Sequence, residues 1–332
     1  MNTVNTGRFM AIFVLLLQAC SFGFDNGEDA RLGRYGRVRF VGGGGCTDST
    51  TLALGSTATL TAEPAQGQIL PTDLTPRSSA PESIGASHGP KPYEILLSAV
   101  REGAADIELV SSEVGVYDVL GFDVAPAASV SYQAPAEVYA GGGLLLKIDE
   151  VFGECGEDCK LIGGGFVQWS AEPAGSLTLD LHEDRVAIMA AGAAGEARVL
   201  GREPTTGTVL IDHAVTVVPT EGAGELETRV TIMRPDETVL DPQPMPSEVS
   251  VGCLLLIEVE VADAGGRSVK LAGQDVGWTV EGDAGVIAPW PENEPPAPEG
   301  PIYEATGAGT VTLVGEAALL GRSRRFEVTI VD

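Results

Sequence analysis

Apolar and polar positions alternate along this chain with the period of a pleated strand rather than a helix. "TATLTAE" (57–63), "LLLKIDEV" (144–151) and "LIEVEV" (256–261) alternate or run apolar over short stretches. The terminal "RRFEVTIVD" puts Phe326, Val328 and Ile330 on one face and Arg325, Glu327 and Thr329 on the other. Clusters of Gly, Pro, Asp and Ser punctuate these runs at short intervals, and no stretch keeps a capped helical period. The pattern predicts an all-β protein.

The pattern also repeats. "AVREGAADIEL", "AAGAAGEARVL" and "EATGAGTVTLV" each place an Ala four residues before a Gly, with small or apolar residues two and four beyond it. The sets are Ala99, Gly103, Ala105, Ile107; Ala191, Gly195, Ala197, Val199; and Ala305, Gly309, Val311, Leu313. The units open alike, with "RVRF", "SVSY" and "RVTI", and close alike, with "GFDVAP", "AVTVVP" and "FEVTIVD". The intervals between Val124, Val217 and Ile330 match those between the three glycines to within one residue. The second and third units share more: Val151 to Lys160 keeps step with Val261 to Lys270, and Trp169 and Trp278 close the two stretches. Arg77 stands near the corresponding place of the divergent first unit.

Units of roughly 100 residues with short alternating strands imply three tandem immunoglobulin-like β-sandwich domains. Their expected bounds are 36–126, 127–219 and 228–332, with 220–227 as a linker carrying few apolar groups to fix an interdomain angle. In the third unit Val261, Asp263, Gly265, Val276, Trp278, Gly309, Val311 and Leu313 resemble the pattern of bacterial Ig-like domains, the modules of invasin- and intimin-like adhesins. That resemblance implies stalks or adhesive surfaces and carries over no catalytic residue.

The N-terminus is of another kind. Arg8 is followed by the apolar run Phe9 to Leu17, too short to cross a hydrocarbon core and suited to a secretory signal. Leu17-Gln18-Ala19-Cys20 then resembles the lipobox of bacterial lipoproteins. The resemblance implies a signal peptide over 1–19 and acylation of Cys20, which anchors the chain in a membrane. A flexible tether is expected over 20–35. Ser21 favours the outer membrane by the family's sorting habit, with the protein periplasmic or surface-exposed. Export also implies an oxidising compartment.

The chain has 332 residues and a formal charge of −27, which disfavours nucleic acid as a partner. Two basic clusters interrupt the acidity. Arg31, Arg34, Arg37 and Arg39 suit a membrane surface or a solvated strand edge, and the other cluster is Arg322, Arg324 and Arg325.

Candidate chemistry is sparse. "GASHG" (85–89) has the Gly-x-Ser-x-Gly form of a nucleophile elbow, but Pro90 and Pro92 follow where a helix must start, so a hydrolase using Ser87 is a remote alternative. The three histidines, His88, His182 and His213, lack zinc-binding spacing. Glu150, Glu154, Glu157 and Asp158 crowd one hairpin, as a solvated tip or as partial ligands for calcium. The runs Gly42–Gly45, Gly141–Gly143 and Gly163–Gly165 lack the Gly-Lys-Ser/Thr of a phosphate cradle and suit loops or close sheet approaches.

Cys155 and Cys159 flank that hairpin's tip, and a disulfide is expected there, with a metal site the poorer alternative. Cys46 and Cys253 bond across units, bond to a partner or stay reduced. No catalytic residue, metal or cofactor is expected. The functions in contention are a structural spacer, and an adhesive module that binds protein or glycan, with the Pro-rich loop 289–301 the first place for a contact.

Overall fold

Strand-forming runs this short, separated by turn residues, can bury an apolar face only by stacking two sheets. A computed structural model describes residues 31–42, 49–183, 186–236, 238–263, 265–283, 285–290 and 300–332, with the backbone alone for 180–183. It contains three such stacks in sequence.

In the first module, Arg31–Leu32, Val38–Gly42, Thr57–Pro64, Glu94–Ala99 and Ile84–His88 form one sheet in that order. Thr51–Ala53, Gly115–Ala125, Gly103–Ser111 and Thr75–Ser78 form the facing one. The second module repeats the plan. Ser129–Gln133, Gly143–Phe152, Val186–Ala191 and Leu177–Glu183 face Glu137–Tyr139, Val209–Val218, Gly195–Arg202 and Gln168–Glu172. In the third, Val239–Gln243, Leu226–Met233, Leu254–Ala262, Ile302–Ala305 and Ile287–Pro289 face Glu248–Ser250, Arg322–Val331, Gly309–Ala317 and Gly277–Gly282. Each module holds one short parallel pair, a three-residue strand near its start against its last strand: Leu52 lies opposite Val124, Val138 opposite Val217, and Val249 opposite Ile330. Among the described residues the only helical segments are three single 3-10 turns, and no helix is long and apolar enough to cross a membrane.

The landmarks of the repeat are register positions. Gly103, Gly195 and Gly309 open one strand of each module and lie opposite Val124, Val217 and Ile330 of the next. Their φ values of 138°, 148° and 153° fall where L side chains rarely sit, which explains why glycine recurs there. Alternate residues then face inward, so Ile107, Val199 and Leu313 lie fully buried in the three cores. Trp169 and Trp278 lie opposite Gly201 and Gly315, where the missing side chain leaves room for an indole.

Four expectations need correction. The tether does not extend to residue 35, because Arg31–Leu32 already pairs with Arg39–Phe40. The fully buried carboxylate of Asp118 holds that turn, accepting the backbone N–H groups of Tyr35, Arg37 and Val38, each at 2.8 Å. The 220–227 segment is not a loose linker either, since Ala223 and Leu226 are buried and a strand starts at Leu226. The Val-to-Lys spacing is not a register match: Lys160 lies opposite Phe152 and Lys270 opposite Glu260, because the turn at 153–159 is longer than that at 263–267. In the first module the place of the two tryptophans is taken by Pro76, opposite Leu109, and not by Arg77.

Candidate functional site: the joints between modules

The residues singled out for chemistry do not converge. Ser87 sits exposed within the strand Ile84–His88, opposite Leu96, so the strand–turn–helix that lifts a nucleophile is missing. His88 is exposed beside it, and the His213 ring shares a hydrogen bond with the carbonyl of Pro135 at 2.9 Å. The His182 side chain lies outside the described residues. Among the described residues no three His, Cys, Asp or Glu side chains group around a point where a metal ion fits. Glu150 of the acidic hairpin is paired with Lys160. Cys155 and Cys159 flank the 3-10 turn Gly156–Asp158, their Cα atoms 5.4 Å apart, within disulfide range. Cys253 is a buried free thiol whose pKa is pushed up by that burial. Cys20, Cys46 and most of the 289–301 loop lie outside the described residues.

Both basic clusters are consumed within the fold. Arg34 is bidentate to Asp106, Arg39 lies 4.0 Å from Glu63, and Arg37 stacks over the ring of Tyr117. Arg322 donates to the carbonyls of Gly224 and Ala223 at 3.1 and 2.8 Å, Arg324 donates to that of Leu226, and Arg325 pairs with Glu281. The second cluster therefore fastens the 220–227 segment to the last strand.

The constructed features lie where modules meet. Each module has the same loop after its short parallel strand: Leu54 to Thr57, Ala140 to Gly143 and Val251 to Leu254. The loop glycines, Gly55, Gly141 and Gly252, have φ of 78°, 81° and 82°. Their N–H groups donate to Ala99, Ala191 and Ala305, and the same three alanines donate back to Ser56, Gly142 and Cys253. The alanines of the sequence repeat thus lock this loop.

At the first joint the loop receives residues 161–166 of the second module. The backbone of Ala53 donates to Ile162 at 2.9 Å and Ile162 donates to Thr51 at 2.8 Å, while Thr57 and Gly164 exchange a pair at 2.9 Å. Two β-bridges therefore cross the boundary. The modules also exchange side chains: Ile162 is buried in the first core, and Ala53 in the second. Gly163 approaches so closely that a Cβ there would lie 2.3 Å from the Ser56 hydroxyl.

At the second joint the loop receives the strand Ser268–Leu271 and the 3-10 turn Gly273–Asp275 of the third module. Tyr139 is buried, its hydroxyl donating to the carbonyl of Ala262 at 3.1 Å. Asp275 accepts the N–H of Gly143 at 2.8 Å. Tyr139 and Val218 join Ala223, Leu226, Val261, Val269, Leu271 and Val276 in one apolar cluster spanning the boundary. At its rim Arg267 bridges Glu137 of the second module and Asp263 of its own. The N–H and then the guanidinium of Arg267 hold Asp263 below the usual carboxylate range, whereas burial pushes Asp275 above it against the pull of the Gly143 and Ala272 N–H groups. Burial, and then the nearby Asp263 and Glu137, push Tyr139 up.

Hairpin tips complete both joints, with Pro204 beside Gly55 and Leu319 against Gly141 and Gly142. In the third module the same loop is covered by its own Pro235, beside Gly252. Sequence reasoning placed the glycine runs 141–143 and 163–165 in loops or close approaches without connecting them to a boundary.

No protein-family model matches the chain, and no curated protein matches it. Among solved structures it is similar to domains 4–9 of the surface layer protein SbsC, at 16% identity and a TM-score of 0.32 over 83% of this chain and 42% of that one. It is also similar to the Escherichia coli adhesin FdeC, at 14% identity and 0.25 over 86% and 98%. A third is invasin, a bacterial integrin-binding protein, at 9% identity and 0.26 over 88% and 58%. The chain thus spans less than half of the surface-layer structure.

Proposed function

We propose that this chain is a non-enzymatic spacer of the bacterial cell envelope: three β-sandwich modules joined stiffly and held to the outer membrane by an acylated Cys20. The observation that carries the reading is the first joint, where backbone hydrogen bonds and exchanged core residues cross the boundary. A spacer must hold its far end at a set distance, and a joint of this kind does so. The lipobox-like Leu17-Gln18-Ala19-Cys20 supports the anchor, and an oxidising compartment suits a Cys155–Cys159 disulfide that staples an exposed turn. Binding of a protein or glycan at the far end is compatible with this role. Small-angle scattering on residues 21–332 tests the reading. A rod-like profile is expected, with added flexibility in Gly163→Ala, which wedges the first joint. A profile of modules moving independently in the unaltered chain overturns it.

A further inference from the structure

In the second and third modules, the end that faces the preceding module is apolar and covered. Ile162 and Pro204 lie against the first module, and Ala272 and Leu319 against the second. The first module has the same end, made of the turn at 33–36, the connection 65–74 and the hairpin tip 112–114. There the apolar residues are in the open: Ile69 is 87% exposed, Leu32 59%, Val114 56% and Tyr35 54%. All four sit on elements that meet at this one end, an exposed patch shared with Asp73 and Glu113. The Tyr117 hydroxyl donates to the carbonyl of Ile69 at 3.0 Å, Tyr117 lies on the return strand of the hairpin that carries Val114, and Tyr35 donates its N–H to neighbouring Asp118 at 2.8 Å.

The chain itself narrows what covers this patch. Residues 20–30 precede the first described strand, and at about 3.3–3.6 Å per extended residue they span at most roughly 40 Å. A bilayer holding Cys20 is therefore within reach of this end. We infer that the patch is a phospholipid contact: Ile69, Val114 and Leu32 enter the boundary between headgroups and acyl chains, and Tyr35 sits at headgroup level, where its amphipathic ring is favoured. The inference rests on the acylation of Cys20 proposed above. The contact is apolar rather than electrostatic, since Arg34 and Arg37 are engaged within the module and the chain carries a charge of −27. A patch this small binds only when the anchor keeps it at high local concentration, so the unlipidated chain is expected to stay off vesicles.

The test uses the mature lipidated chain in vesicles of phosphatidylethanolamine and phosphatidylglycerol, with a benzophenone amino acid at position 69 or 114. Position 179, exposed on the second module, is the control. Lipid adducts several-fold above the control at both positions are expected, unchanged by added salt. Adducts at the control level, in protein that floats with the vesicles, overturn the contact and leave the anchor standing. Failure of the unaltered protein to float overturns the anchor and the contact with it; Cys20→Ser, which the anchor expects not to float, is the reference for that outcome.

Discussion

Single residues carry this fold where the backbone does what only one residue type allows. Gly195 and Gly309 occupy equivalent positions with φ near +150°, but a Cβ at Gly309 would meet Val286 at 2.7 Å, whereas one at Gly195 meets nothing within 4 Å. Gly195→Ala is therefore expected to cost about 1–2 kcal/mol from backbone strain alone, and Gly309→Ala more, in urea unfolding of the corresponding module. Equal losses would mean that strain, and not packing, sets both. Asp118 is a second such residue. Asp118→Ala strips the acceptor from three N–H groups of the 35–38 turn, in addition to its contact with the N–H of Val119, and each group left unpaired costs about 1–3 kcal/mol. A loss of at least about 3 kcal/mol is expected, with rapid hydrogen exchange at residues 31–38. The glycines were legible because they recur in step with a β-period. Asp118 was not, since it is one acid among 47 Asp and Glu and its role depends on a turn some eighty positions away closing over it.

At the level of elements, the alternating runs named their own strands and faces. Phe326, Val328 and Ile330 do share the inward side of the last strand, with Val328 and Ile330 in the third core. What alternation could not show is where a module ends. Residues 220–227 look polar because only Ala223 and Leu226 point into the apolar cluster, and Arg322 and Arg324 satisfy backbone carbonyls that would otherwise want water. Ile162 illustrates the same limit, as its sequence belongs to the second module and its side chain to the first core. Ile162→Ala is accordingly expected to cost about 2–4 kcal/mol, read out as earlier unfolding of the first module with the second nearly unchanged. A fragment of the first module alone should show the same deficit. If the substitution instead weakens only the second module, the side-chain exchange does not contribute to stability as argued.

For the whole molecule the question is how three modules bearing a charge of −27 hold one arrangement in acid as well as at neutral pH. The second joint contains two carboxylates perturbed in opposite directions. Asp263 is held low by Arg267 of its own turn, so that pair persists whether the joint is open or closed and adds no pH dependence to closure; its part is to hold the guanidinium that reaches Glu137 across the boundary. Asp275 is pushed up by burial, so protonating it removes a desolvation cost, and mild acid favours closure. Self-repulsion among the surface acids also fades as they gain protons. The joint should thus stay closed from neutral pH down to about 4. Energy transfer between dyes on the second and third modules, followed from pH 7 to pH 3, checks this. Asp263→Asn, which releases Arg267 and leaves Glu137 its lone partner, should weaken closure already at pH 7. Asp275→Asn keeps an oxygen acceptor for Gly143 without the buried charge, and should hold the joint at least as firmly as the native residue. Opening of the unaltered chain between pH 7 and 5 would mean that groups outside this joint govern the arrangement, and the assignment of stiffness to Asp263, Arg267 and Glu137 would fall.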